Sequence, residues 1–120
     1  MKLCISSSGK DMSSKAATHF GRAPWFLIID TDSMNVEPVE NTLPSGGRGS
    51  GVSAAQLVLD RGTAAVLTGV IGPNAFEALK IAHADIYEGL SGNETVREAL
   101  DKFKKGEYNE AEVPSGGPGR

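Results

Sequence analysis

A single cysteine, Cys4, stands in 120 residues, which excludes an internal disulfide and any structural zinc site built on several thiolates. A lone thiol suits a reducing compartment. Basic blocks are missing as well: 12 Lys and Arg against 15 Asp and Glu leave a net charge of −3, which argues against a nucleic-acid or anionic-membrane surface. Long apolar runs are also absent. Met1 to Ile5 stops at Ser6-Ser7-Ser8-Gly9, too short for a signal peptide, and no later run nears the ~18 residues of a membrane span. The expectation is a cytoplasmic protein with no nucleic-acid or membrane partner. Catalytic sets are lacking too: no Ser-His-acid arrangement, HExxH or CxxC occurs, and Lys2 to Ser6 carries no carboxylate for a two-metal centre. The chain does not read as an enzyme.

Alternation, apolar runs and breakers set out the elements that are present. Leu3-Cys4-Ile5 reads as a strand entering a polar loop that lasts to about Gly21. Trp25 to Asp30 and Met34 to Glu40 read as an antiparallel hairpin, the second strand lying at an edge because Pro38 cannot donate to a ladder. Val52 to Leu59 has the broad apolar face of a buried helix closed by Gly62, and Ala64 to Leu67 reads as a strand covered on both faces, the usual setting of parallel pairing. Pro73 opens a second helix that ends at His83, and Ala84 to Tyr87 is a further short strand. Asn93 is the expected cap of a last helix with Val96, Ala99, Leu100 and Phe103 inward, Glu98 paired with Lys102, and Gly106 at its end. Residues 107–120 lack apolar periodicity and read as a disordered tail after one domain over 1–106. The order β, β, β, α, β, α, β, α implies a mixed sheet of about five strands flanked by helices.

Ligands of such sheets gather at the carboxyl ends of the parallel strands, here Ser6 to Ser8, Thr68-Gly69 and Glu88-Gly89. His19 lies in the long loop leaving that rim. Phe20 behind it can anchor the loop and leave the imidazole at the surface to bind a metal, with Gly21 allowing close approach; a turn histidine bonded to backbone is the commoner alternative. Cys4 reads as a core thiol. The loop Pro44 to Gly51, with Gly47, Arg48 and Gly49 at its centre, invites an anion-binding reading, but it lacks the ending of a P-loop and better suits a mobile linker. Arg22 and Arg48 are cations able to meet an anionic ligand or to stay solvated.

HFGRAPWF after a first strand, the glycine-rich loop before AAQLVLDRG, and AAVLTGVIGPNAFEALKIAHADIYEG together resemble the dinitrogenase iron-molybdenum cofactor biosynthesis family, over about Lys2 to Gly106. The resemblance implies a ribonuclease H-like α/β fold with a mixed five-stranded sheet, in a stand-alone single-domain member related to nitrogen fixation. It implies a non-catalytic carrier of an iron-molybdenum or related metal-sulfide cluster, with cluster-biosynthesis or acceptor proteins as partners. It also favours His19 as the metal ligand; Ser7, Ser8, Arg22, Gly47, Arg48 and Gly49 are the candidate cofactor-binding neighbours around it. The alternatives are a small-molecule or nucleotide-binding regulatory module using the glycine-rich loop, and a protein-interaction domain without a ligand. Four cysteines of an ordinary iron-sulfur site are lacking, but a preassembled cluster brings its own sulfides.

Overall fold

Hydrophobic alternation in the first strand decides the layering. In the computed structural model, which describes residues 1–41 and 50–115, β1 (Lys2–Ser7) turns Leu3 and Ile5 to one face and Cys4 and Ser6 to the other, all fully buried. β2 (Trp25–Asp30) runs antiparallel to β1 with Cys4 opposite Ile28, and β3 (Val36–Glu40) continues the hairpin with Leu27 opposite Pro38. β3 begins later than Met34 because Met34 takes a left-handed backbone (φ 65°) within the turn.

α1 (Ser50–Leu59) leads through the left-handed Gly62 (φ 81°) to β4 (Ala65–Leu67), which pairs parallel with β1. α2 (Pro73–Ile81) has Pro73 at its first turn and ends before His83, whose φ of 64° takes the place glycine usually fills. β5 (Asp85–Glu88) then pairs parallel with β4. α1 and α2 pack Ala54, Ala55, Val58, Ala75, Phe76 and Leu79 on the Cys4 face. α3 (Val96–Lys104) packs Val96, Ala99 and Leu100 on the Leu3 face.

Four expectations are corrected. The sheet has six strands, not five, in the order β3-β2-β1-β4-β5-β6. The added strand, β6 (Asn109–Glu110), lies where a disordered tail was expected, and Ala111 beyond it is buried. Too short for a sequence pattern, it is held from outside: the Ala111 N–H donates to Ile86 O at 2.7 Å. The cap of α3 is Thr95 rather than Asn93, because Thr95 and Glu98 bond reciprocally in a capping box. Glu98 is thereby engaged, and Lys102 pairs instead with Glu94 at 2.9 Å. Among the described residues no helix is long and apolar enough to cross a membrane.

Candidate functional site

Pairing along β1 does not stop at Ser7; the chain turns back and lies against its own strand. Ser8 N–H donates to Lys15 O, and Ala17 N–H to Ser6 O, so residues 15–17 return antiparallel to the end of β1. The buried Ser6 hydroxyl donates to Ala17 O at 2.6 Å and lies 3.0 Å from Thr68 Oγ1. With its only proton committed to Ala17, Ser6 receives the Thr68 hydroxyl. A two-hydroxyl bridge thus joins the ends of β1 and β4 beneath the returning loop.

The loop next pairs with the segment after β4. Val70 N–H donates to Thr18 O at 2.5 Å, and Phe20 N–H donates to Val70 O at 3.0 Å, which brackets His19 between two backbone bonds. Gly69 makes this approach feasible: a Cβ there would stand 2.6 Å from Thr18 O and 2.8 Å from Leu90 O. Phe20, only 1 % exposed, sinks beside Phe26 with ring centroids 5.1 Å apart, while His19 stays at the surface. A 3₁₀ turn (Phe20–Arg22) follows, and Arg22 N–H closes on His19 O at 3.2 Å, leaving the Arg22 side chain exposed. Asn41 fixes the far side of this turn by donating through Nδ2 to Gly21 O and Ala23 O.

His19 Nδ1 lies 3.1 Å from Thr18 Oγ1, and among the described residues Nε2 meets no partner. An imidazole held through one nitrogen and open at the other is the form in which histidine ligates metals. Cys4 behaves differently: burial drives its thiol far above the ordinary range, so the thiolate a metal needs does not form. Among the described residues no three His, Cys, Asp or Glu side chains gather to hold a metal ion.

The remaining candidates separate. Ser7 is buried, its hydroxyl donating to Gly9 O and accepting from Gly9 N–H; the Ser8 hydroxyl donates to Lys15 O. Both close the 8–15 loop, whereas Arg22 lies in the turn that His19 begins. Gly47, Arg48 and Gly49 lie outside the described residues. Thr18 and Asn41, which no sequence pattern singles out, and Thr68 and Gly69, expected only as part of the strand-end rim, prove to be the residues that position His19. Glu88, at the end of β5 on the same rim, has a buried Oε2 with no hydrogen bond among the described residues.

The family described as dinitrogenase iron-molybdenum cofactor matches residues 1–106. The chain belongs to that family. It is similar to the orange protein from Desulfovibrio gigas, solved in its apo form, with 31% identity, 96% of each chain covered and a TM-score of 0.90. It is also similar to a putative NifB protein from Thermotoga, with 40% identity, 91% of each chain covered and a TM-score of 0.81. An uncharacterized protein of Methanocaldococcus jannaschii is 28% identical over 102 residues, covering 82% of this chain and 85% of that one.

Proposed function

We propose that this chain is a non-catalytic carrier that binds and hands on a preassembled iron-molybdenum or related metal-sulfide cluster, attached through His19. The observation that carries the reading is the exposed imidazole, oriented by Thr18 and backed by a backbone-paired loop, whose Nε2 has no partner among the described residues. If Nδ1–H donates to Thr18 Oγ1, the Nε2 lone pair faces outward for a metal. One imidazole is a poor cage for a bare ion and a sufficient tether for a cluster that carries its own sulfides.

Family membership supports cofactor handling, and the similar orange protein was solved in an apo form. Arg22, one short turn away, supplies a cation for an anionic cluster. Ser7 and Ser8 contribute by shaping the loop, and Gly47, Arg48 and Gly49, outside the described residues, are kept as candidate cofactor neighbours from the sequence alone. We read the order β3-β2-β1-β4-β5 as a ribonuclease H-like sheet extended by β6. A reduced lone thiol and an oxygen-sensitive cargo suit a cytoplasmic setting, with cluster-biosynthesis or acceptor proteins as donors and recipients.

Anaerobic titration of the full chain with isolated iron-molybdenum cofactor and with tetrathiomolybdate, followed by absorption and paramagnetic resonance, tests the reading. Spectral changes that saturate in the wild-type chain and weaken in His19→Ala are expected. Unchanged spectra with every cluster tried, or equal binding by His19→Ala, overturn it.

A further inference from the structure

The end of the sheet opposite the His19 loop holds a groove that the cluster reading does not use. Lys2, Ile28, Asp30, Asn35, Val36 and Glu37 line it, around a volume of about 200 Å³. Ile28, only 2 % exposed, gives it an apolar base, and its other lining residues are polar apart from Val36. The turn after α1 fences one side: the Arg61 side chain pairs with Glu37, and the Arg61 carbonyl oxygen accepts Lys2 Nζ at 3.2 Å. The groove is thereby framed by β1, β2, β3 and the exit of α1.

Two opposite charges stand in this groove without pairing. Lys2 and Asp30 are directly opposed in the β1–β2 register, yet each is held by other groups. Lys2 Nζ gives one proton to Arg61 O, leaving two. Asp30 Oδ1 accepts the Asp32 and Ser33 amides at 2.9 and 3.3 Å, which holds the carboxyl below the usual carboxylate range. Its Oδ2 has no bond among the described residues, and neither has the Asn35 side-chain amide. A simple ion engages one of these charges and leaves the other. A ligand with a carboxylate and an ammonium on one carbon engages both, and a short aliphatic side chain then meets Ile28. The volume equals about seven waters at roughly 30 Å³ each, room for a small amino acid and not for a nucleotide.

We propose that this groove binds a free aliphatic amino acid of about valine size, its carboxylate on Lys2 and Asn35, its ammonium on Asp30 and its side chain on Ile28. The site does not depend on the cluster reading. β1 (Lys2–Ser7) separates the two, since the His19 loop leaves the other end of that strand.

Amide NMR of the full chain titrated with L-valine tests this, with sodium chloride at matched ionic strength as the control. The amides of Asp30, Asn35, Val36 and Glu37 should shift saturably, while those of Thr18 to Arg22 stay in place. Glycine, acetate and isobutylamine each lack at least one of the three recognised parts and should bind about tenfold more weakly, as should valine with Lys2→Met or Asp30→Asn. The analogue series is read on the wild-type chain, so it decides the matter even where a variant fails to fold. No saturable shift with L-valine up to its solubility, a shift that salt reproduces, or an equal response to any of the three analogues overturns the site and leaves His19 binding standing.

Discussion

The Tyr108 hydroxyl and the Lys102 ammonium converge on the same Glu94 carboxylate, at 2.7 and 2.9 Å from Oε1. Through this pair of contacts the C-terminal strand and α3 are tied to the turn that precedes the helix, where Glu94 Oε2 also receives the Ser91 N–H.

That carboxylate makes stability depend on pH. Burial opposes its charge, but the bonds from Tyr108, Lys102 and the Ser91 amide outweigh burial and hold Glu94 below the ordinary glutamate range. A depressed folded-state value means the stabilisation is fully present above the unfolded glutamate range and is lost as pH falls through the folded value. Urea unfolding from neutral to acid pH should show this loss, and Glu94→Gln should flatten it. Tyr108→Phe should cost about 1 kcal/mol at neutral pH.

His19→Ala and Cys4→Ser should separate ligation from packing. The exposed imidazole contributes little to the core, so its removal should change stability by less than about 0.5 kcal/mol while cluster binding falls. A serine hydroxyl placed at the fully buried Cys4 should cost roughly 1 to 3 kcal/mol with binding retained by the folded fraction. Thermal unfolding paired with anaerobic titration reads both. A stable Cys4→Ser chain without binding would shift the ligand to the thiol.

Gly69→Ala should be far more damaging than its exposure suggests. The new methyl would meet two carbonyl oxygens, of Thr18 and Leu90, both backbone and neither able to rotate away. A loss of roughly 2 kcal/mol or more is expected, with the Phe20 and Val70 amides the first to lose exchange protection. Wild-type stability in this variant would show that the His19 loop is not held by this contact.

Thr63 offers a gain. Its hydroxyl is buried without a hydrogen bond among the described residues, so Thr63→Val keeps the shape and removes the desolvated oxygen. Stability by chemical denaturation should rise by about 1 kcal/mol. A loss instead would show that the hydroxyl has a partner in solution.

Local chemistry made most of the framework readable. Pro73 marked the start of α2 and Pro38 the outer strand, because each is decided by one residue's own backbone limits. The exposed His19 above a sunken Phe20 followed from the same kind of reasoning. What escaped depends on distant partners. Ser6 meets Thr68 only because β1 and β4 lie side by side in parallel register, and β6 exists because Ile86 and Glu94 hold a stretch with no periodicity of its own. The α3 cap was legible in Thr95-x-x-Glu98, but Asn93, an equally good cap former two residues earlier, competed for the same signal.

The borders of the sheet bear on how the chain behaves at high concentration. On one side the outer strand carries Glu37, Pro38 and Glu40, so a neighbouring molecule adding a strand there would meet the Glu37–Arg61 ion pair, the Glu40 charge and a residue with no amide hydrogen. On the other side the outer strand is only Asn109–Glu110, too short to template an extended ladder. Neither border invites polymerisation, which lets a chain of this design accumulate in crowded solution without seeding fibrils.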